Sequence, residues 1–248
     1  MSGEKGFQSV FARVEKKFLL DDRGAAFLVQ GLEAHGFREL CFGSPLIQSL
    51  YFDTADYLLV RHSVERPDYK EKLRLRVYGR ADRTSTGWVE IKKKAGGIVY
   101  KRRTGLPLPE ALAAISTGVL PEETGQIGRE IAWLLHRYGG LTPAALISCE
   151  RRSFEKPEEG LRVTFDRHVR FRDRDFDMTR PPSGTELLPP GRVLAEVKVP
   201  GAYPLWLTRL LWESGARQTH FSKYGTAYTD CIRPRPAGAD HTEVRHSA

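Results

Sequence analysis

The feature that most constrains this chain is a run in which basic and apolar residues alternate without a break, Lys72-Leu-Arg-Leu-Arg-Val-Tyr78. Side chains of a β-strand point alternately to its two faces. The run therefore predicts a strand with three aliphatic side chains on one face and Lys72, Arg74 and Arg76 on the other. A strand of this kind needs an apolar layer packed on one face and, on the other face, an environment that accommodates closely spaced positive charges.

The same alternation recurs in four other segments, at residues 13–18, 88–94, 161–166 and 194–199. The charged or polar positions that share a face are Arg13, Glu15 and Lys17; Glu90 and Lys92; Arg162, Thr164 and Asp166; and Glu196 and Lys198. A face open to water tolerates any polar residue, whereas Arg, Lys and Glu dominate here, with neighbours on one face only ~7 Å apart. The repetition favours a functional face over an ordinary solvated one.

Short strands separated by turn signals predict an antiparallel sheet. Gly96-Gly97 and the segment Lys156–Gly160 carry the residues that tight turns prefer. We expect an α+β fold, a closed antiparallel β-tunnel of about eight strands with a charged lumen and helices packed outside, because closure leaves no exposed sheet edge. The strand that ends at Glu150-Arg151 is apolar on both faces, so its sidedness is not predicted.

Helices are predicted where apolar residues recur at helical spacing. The predicted ranges are Asp21 or Asp22 to His35, Gln126 to Tyr138, a helix that follows Pro204, and a short turn at Glu110–Ile115. Their apolar residues are interpreted as packing faces. The segment Ser49–Thr54 is also interpreted as structural, with Asp53 closing a turn.

Composition limits the class of protein. The chain has 248 residues, 39 basic and 31 acidic, with a formal net charge of +8, which favours an anionic partner. It shows no apolar run long enough to span a bilayer and no signal-peptide pattern, so a cytoplasmic location is expected. One domain is predicted over residues 10–232, with disordered tails at 1–9 and 233–248.

Common cofactor motifs are absent from the sequence. The three cysteines and seven histidines have no metal-binding spacing, and there is no P-loop and no Rossmann or kinase glycine motif. Clustered cations suit phosphate, because Arg donates two parallel hydrogen bonds and Lys supplies a compact charge. The carboxylates among these cations are explained if Mg²⁺ or Mn²⁺ bridges the carboxylates to phosphate oxygens. Cations, carboxylates and a metal ion around phosphate are the components of a phosphoryl-transfer site.

With these segments in order along the chain, the sequence resembles the VTC domain family. This is the polyphosphate polymerase domain of the vacuolar transporter chaperone complex, within the triphosphate tunnel metalloenzymes. The matching segments are Glu15-Lys-Lys-Phe18, Ser49-Leu-Tyr-Phe-Asp-Thr54, Lys72-Leu-Arg-Leu-Arg-Val-Tyr78, Val89-Glu-Ile-Lys-Lys-Lys94, Lys101-Arg-Arg103, Glu150-Arg-Arg-Ser-Phe154, Arg162-Val-Thr-Phe-Asp166, Glu196-Val-Lys198 and Phe221-Ser-Lys-Tyr224.

The resemblance implies transfer of the ATP γ-phosphate to a growing polyphosphate chain, with release of ADP. The catalytic, phosphate-binding residues it implies are Lys17, Arg74, Arg76, Lys92, Arg151, Arg162, Lys198 and Lys223, with Arg102, or one of its neighbours Lys101 and Arg103, as a further phosphate ligand. The metal, Mn²⁺ or Mg²⁺, would be held by Glu196 with Glu90 and Glu15 in support. The expected partners are ATP and polyphosphate. A membrane-protein partner is compatible with the family, although no transmembrane segment is expected in this chain.

The chain departs from the family pattern at two positions. Cys149 stands where a Tyr is usual two residues before the phosphate-binding Arg151, and Phe18 stands where a Tyr follows the first Lys. A triphosphate or tripolyphosphate hydrolase on the same fold is an alternative, because both reactions use the same cations and metal. Loss of a hydroxyl at Cys149 keeps a second alternative open, a non-catalytic polyphosphate-binding module. Nucleic-acid binding is a weaker alternative, because the sequence shows no interleaved aromatic and basic platform.

Overall fold

The computed structural model describes residues 14–41, 43–65, 67–96 and 98–233. The tails predicted at residues 1–9 and 233–248 lie outside these ranges, except for Arg233. Arg13 also lies outside the described residues. Within the described residues no helix has the length and apolar character needed to cross a membrane.

The chain forms strands and helices in the following order. The strands are β1 Val14–Asp21, β2 Arg38–Glu39, β3 Leu46–Asp53, β4 Tyr69–Tyr78, β5 Thr86–Ala95, β6 Ile98–Pro107, β7 Thr142–Lys156, β8 Leu161–Arg172, β9 Thr185–Glu186, β10 Arg192–Val199 and β11 Arg217–Thr219. The α-helices are α1 Asp22–Ala34, α2 Leu58–Glu65, α3 Leu108–Thr117, α4 Gly125–Arg137, α5 Leu205–Glu213 and α6 Lys223–Ala227.

The strands build one sheet whose strand pairs are antiparallel, which confirms the predicted α+β class. Neighbouring strands follow the order β11-β1-β10-β8-β7-β3-β4-β5-β6, with β2 paired to β7 and β9 paired to β8. Of the eleven strands formed by the described residues, β2, β9 and β11 have only two or three residues. The others are at least eight residues long. The sequence therefore predicted the long strands and missed the short ones.

The predicted alternation is confirmed in the register of the sheet. Arg74 lies opposite Glu90 in the β4–β5 pair, and Lys17 lies opposite Glu196 in the β1–β10 pair. Leu73 and Val89 are fully buried, on the opposite side of their strands from these charges. The aliphatic and charged positions thus separate onto two faces of one sheet.

Four helices cover the aliphatic face in two groups. Helices α3 and α4 pack on β4 and β5 through residues such as Ala111, Ile131 and Leu134. Helices α1 and α5 pack on β1, β8 and β10, with Leu28 and Leu207 fully buried between them and the sheet. Burial of such side chains is the main stabilising contribution to folding. Packing of these helices therefore fixes which face of the sheet is covered, and the charged residues are left on the other face.

The strand whose sidedness was not predicted, β7, contains a β-bulge. Its register with β8 shifts between Ser148 and Glu150, so the side-chain alternation changes phase there. Ala145 and Ile147, before the bulge, pack in a third apolar cluster with Tyr224 of α6. This explains why no single period describes the strand.

Candidate functional site

The face of the sheet opposite α1, α3, α4 and α5 carries the charged residues and is called the charged face below. Its members are Glu15 and Lys17 of β1, Lys72, Arg74 and Arg76 of β4, Glu90 and Lys92 of β5, Lys101 and Arg103 of β6, Arg151 of β7, Arg162 and Asp166 of β8, Glu196 and Lys198 of β10, and Lys223 of α6. Cations outnumber acids on it.

The sheet is curved around this face. Lys17 Nζ donates to the Phe221 carbonyl at 2.9 Å, and Lys72 Nζ donates to Ser222 Oγ at 3.3 Å. Four strands separate β1 from β4 in the sheet order. Since one short segment before α6 contacts both strands, their charged side chains converge on a common space.

Asp166 is a buried acid that holds two cations in place. Arg151 donates to its two carboxylate oxygens at 2.6 and 2.7 Å, and Lys223 donates to it at 2.5 Å. Burial alone would raise the pKa of Asp166, but the charges of Lys223 and Arg151 hold that pKa well below its usual range. The carboxylate is therefore ionised at neutral pH and anchors both cations.

Glu90 makes a similar arrangement on β5. Arg74 Nε lies 2.6 Å from its Oε2 and the Lys101 ammonium lies 2.8 Å from its Oε1. Burial opposes ionisation of Glu90, yet the charges of Arg74, Arg76 and Lys101 lower its pKa to about 2. Burial also lowers the pKa of Lys101 to about 8, although Glu90 opposes that shift.

Glu196 and Glu15 meet at one ammonium group. Lys198 Nζ lies 2.8 Å from Glu196 Oε1 and 3.8 Å from Glu15 Oε2. Burial would raise the pKa of Glu196, but the surrounding cations, first Lys198 and then Lys17, hold it well below its usual value. Two carboxylates thus lie around a single position on β1 and β10.

Six cations of the charged face make no salt bridge with a carboxylate of the described residues. They are Lys17, Lys72, Arg76, Lys92, Arg103 and Arg162. Arg76 Nε donates only to Ser49 Oγ at 3.1 Å, and Arg162 Nε is buried without a hydrogen-bond partner. Burial lowers the pKa of Lys72 to about 8. Unmatched cations at this density suit a polyanionic ligand.

Tyr51 of β3 also lies on this face, although it belongs to the segment Ser49–Thr54 that was predicted to be structural. Its ring stacks on Tyr224 at 4.7 Å, and its hydroxyl accepts a hydrogen bond from Arg74 Nη1 at 3.2 Å. Burial alone would raise the pKa of Tyr51, but Arg74, Lys72 and Arg76 lower it to about 8. The contact arises because the β3–β4 register places Tyr51 opposite Arg74. The sequence alone does not specify that register.

Eight of the nine predicted phosphate ligands lie on the charged face, and Arg102 does not. Arg102 pairs with Ile91 on the opposite face, where its Nε lies 3.7 Å from Glu130 of α4. Lys101 occupies the corresponding place on the charged face. Arg103, the other alternative to Arg102, also lies on the charged face, with its guanidinium 4.7 Å from the centre of the Trp88 ring. Alternation along β6 places Lys101 and Arg103 on one face and Arg102 on the other.

The three acids predicted to share a metal do not form one cluster. Glu90 is engaged by Arg74 and Lys101, away from the position where Glu15 approaches Glu196. Among the described residues no group of three or more His, Cys, Asp and Glu side chains could hold a metal ion. The remaining pair of carboxylates fits a hard divalent cation that takes its other ligands from phosphate and water.

Two more side chains lie near the charged face, Cys149 and His220. Cys149 is buried, and burial raises the pKa of its thiol to about 11, so it is uncharged at neutral pH. His220 is exposed and lines a cavity of about 260 Å³ with Glu15, Lys17 and Ser222, at the edge formed by β1 and β11. This cavity opens beside the charged face.

Comparisons with known proteins agree with this architecture. The family profile described as the VTC domain matches residues 12–231. A candidate adenylate cyclase from Bacillus halodurans has a similar structure, with 16% identity, a TM-score of 0.53, and coverage of 87% of this chain and 96% of that chain. No curated protein matches the sequence.

Two further solved structures share the fold. One is a candidate adenylate cyclase from Vibrio parahaemolyticus, with 13% identity, a TM-score of 0.50, and coverage of 88% of this chain and 98% of that chain. The other is a candidate adenylyl cyclase from Hippeastrum, for which a dominant triphosphatase activity is described. It has 18% identity and a TM-score of 0.53, and the match covers 88% of this chain and 95% of that chain.

Proposed function

The chain belongs to the VTC domain family, and from this premise we propose that it transfers the γ-phosphate of ATP to a polyphosphate chain bound along the charged face. One observation carries the proposal. Lys17, Lys72, Arg76, Lys92 and Arg162 have no carboxylate partner among the described residues, while the neighbouring acids Glu90 and Asp166 hold other cations in place. A linear polyanion would match such a row of free cations.

The proposal includes closure of the curved sheet into a tunnel. Support comes from the contacts of Phe221 and Ser222, which join Lys17 of β1 to Lys72 of β4. A tunnel would exclude bulk water from the phosphate chain. Attraction between the cations and the phosphates would then be stronger, because a lower local dielectric constant screens charges less.

Glu196 and Glu15 would hold the Mn²⁺ or Mg²⁺ of the family. When bound, such an ion neutralises charge on phosphate oxygens and supplies Lewis-acid character. The protein's own part is to position the two carboxylates, through the contact of both with Lys198. Lys198 neutralises these acids in the structure, and with a metal bound its ammonium group would be available to phosphate oxygens.

The proposed reaction needs positioning more than proton transfer. A terminal oxygen of the polyphosphate chain bonds to the γ-phosphorus of ATP, and the bond from that phosphorus to the bridging β,γ-oxygen breaks. ADP leaves with that oxygen, so charge is conserved without a proton acceptor. Arg76 and Lys72 would stabilise the phosphoryl group in transfer, as cations do in other phosphoryl-transfer sites.

Product analysis tests the proposal. The chain is incubated with ATP, a short polyphosphate primer and Mn²⁺, and ADP and chain length are followed together. We expect equal amounts of ADP and of phosphate added to the chain, and a loss of both with Glu196→Gln. ATP consumption without any chain growth would contradict the proposal. Binding of polyphosphate without turnover would instead select a non-catalytic module.

A second candidate function is hydrolysis of triphosphate or tripolyphosphate at the same site. Two observations favour it: Cys149 stands in place of a family Tyr, and the Hippeastrum protein of similar structure has a described triphosphatase activity. Water would then replace the chain terminus as the attacking group. Release of orthophosphate from tripolyphosphate, with no longer product, would select hydrolysis.

A further inference from the structure

A second surface that suits a polyanion lies on the opposite face of the sheet. It consists of three aromatic and three basic residues, called the outer platform: Tyr69, Lys93, Tyr100, Arg102, Trp133 and Arg137. The strand register brings Glu71, Lys93 and Tyr100 into one row across β4, β5 and β6. Trp133 and Arg137 come from α4, which lies beside this row.

The aromatic rings of the outer platform are accessible and interleaved with cations. Trp133 is 51% exposed, Tyr100 42% and Tyr69 39%, which is unusual for large aromatic residues brought together on one surface. The Arg137 guanidinium lies 5.2 Å from the Trp133 ring centre and 5.8 Å from the Tyr69 ring centre. Lys93 Nζ lies 5.2 Å from the same Trp133 ring.

A buried acid fixes this arrangement. Glu71 accepts hydrogen bonds from Tyr69 at 2.6 Å and from Tyr138 at 2.9 Å, and its carboxylate lies 3.3 Å from Lys93 Nζ. A platform held in this way loses little conformational entropy when a ligand binds. A cavity of about 240 Å³ lies beside it, lined by Ile91, Lys93, Tyr100, Arg102 and Glu130.

We propose that the outer platform binds single-stranded nucleic acid, with bases stacked on Trp133 and Tyr100 and phosphates held by Arg102 and Arg137. Every base has a π-face, so aromatic rings interleaved with cations bind single strands through stacking and charge together. Arg137 makes no salt bridge among the described residues, and Arg102 shares only Glu130, at 3.7 Å. This surface was not predicted from the sequence, because its residues come from four separate elements, β4, β5, β6 and α4.

Other ligands match the outer platform less well. Polyphosphate has no surface that stacks on an aromatic ring, so it would leave Trp133 and Tyr100 without a partner. A double helix keeps its bases inside, so it offers only phosphates to these residues. Single strands expose bases and phosphates at once, which is the combination that the outer platform presents.

The test measures fluorescence anisotropy of a labelled single-stranded RNA of mixed sequence, with saturating tripolyphosphate present to occupy the charged face. We expect the native chain to bind the RNA, and Trp133→Ala and Tyr100→Ser each to weaken binding by roughly ten-fold. Trp212→Ala is the matched control, because Trp212 is 80% exposed on α5, away from the outer platform. It should bind RNA like the native chain.

Several outcomes would overturn the proposal. These are no RNA binding by the native chain, equal binding by Trp133→Ala and Tyr100→Ser, or complete displacement of RNA by tripolyphosphate. Equal affinity for a duplex of the same length would also reject a role for base stacking. Circular dichroism identifies a variant that fails to fold, and Trp133→Phe, which keeps an aromatic ring, should restore most of the binding.

Discussion

Arg76 and Arg151 lie on the same face of the sheet, yet their side chains serve different purposes. Arg151 and Lys223 neutralise the fully buried Asp166. Arg76 makes its one hydrogen bond to the Ser49 hydroxyl and has no acidic partner among the described residues. Removing Arg151 leaves a buried charge half compensated, whereas removing Arg76 relieves a cluster of like charges. The first is expected to be structural and the second functional.

Arg76→Ala should lower tripolyphosphate affinity by roughly ten- to a hundred-fold, because a hydrogen bond to a charged group is lost. Its free energy of unfolding should stay close to that of the native chain. Arg151→Ala should instead reduce the free energy of unfolding by about 3–5 kcal/mol. Calorimetric titration and urea denaturation measure the two effects. Equal destabilisation by both variants would show that Arg76 is structural.

Affinity for tripolyphosphate should fall as pH rises through about 8, the pKa that burial gives Lys72 and that the neighbouring cations give Tyr51. Above it Lys72 loses its positive charge and Tyr51 gains a negative charge, and both changes oppose anion binding. Binding should therefore take up protons near pH 8. In Tyr51→Phe the decrease should be smaller.

Titration calorimetry from pH 7 to 9, in buffers of different ionisation enthalpy, measures this uptake. The ligand's own ionisation is common to the native chain and Tyr51→Phe, so their difference isolates the protein group. Identical pH profiles for the two proteins would remove Tyr51 from the account.

At the scale of elements, helix α2 depends on an acid that precedes it by several residues. Asp53 at the end of β3 accepts hydrogen bonds from the backbone N–H groups of Leu59 at 2.8 Å and Val60 at 3.0 Å. The hydroxyl of Tyr224 donates to the same carboxylate at 2.8 Å. One side chain thus ties β3, α2 and α6 together.

Asp53→Ala should reduce the free energy of unfolding by about 2–4 kcal/mol, because buried donors are left without an acceptor. Tyr224→Phe removes only one donor to the same carboxylate and should cost about 1 kcal/mol. Urea denaturation of both variants measures the two losses in free energy of unfolding. A cost for Asp53→Ala no larger than that for Tyr224→Phe would mean that α2 is stabilised by other contacts.

The sequence predicted those elements whose signals are local. Alternation assigned the faces of β4 and β5, and helical spacing located α1 within one residue of its observed start at Asp22. Helix α2 was not predicted, because the acid that caps it, Asp53, lies far from the usual position. The sidedness of β7 was not predictable because its bulge changes the phase of alternation. The face on which Arg102 lies was predicted wrongly, because it depends on the register of β6 with its partner strand β5.

At the scale of the whole molecule, a bound polyanion would join strands that are distant in the sheet order. Lys17, Lys72 and Arg162 belong to β1, β4 and β8, which are separated by other strands. A ligand that contacts all three would oppose unfolding of the whole sheet, since it binds the native state and not the unfolded chain.

Tripolyphosphate at a hundred times its dissociation constant should add about 2.7 kcal/mol to the free energy of unfolding. For a chain of this size the melting temperature should rise by roughly 5–10 °C. Arg102→Ala is the control, because Arg102 lies on the opposite face and its removal should leave the increase intact. The same increase in Arg76→Ala at the same ligand concentration would place the ligand elsewhere.

A crystal structure with tripolyphosphate and Mn²⁺ tests the central claim most directly, since it locates the anion itself. We predict density for the phosphate chain along the charged face, within hydrogen-bonding distance of Lys72, Arg76 and Lys17. Mn²⁺ should lie between Glu196 and the phosphate oxygens. Density for the anion only on the opposite face, with these three side chains making no contact to it, would contradict the account.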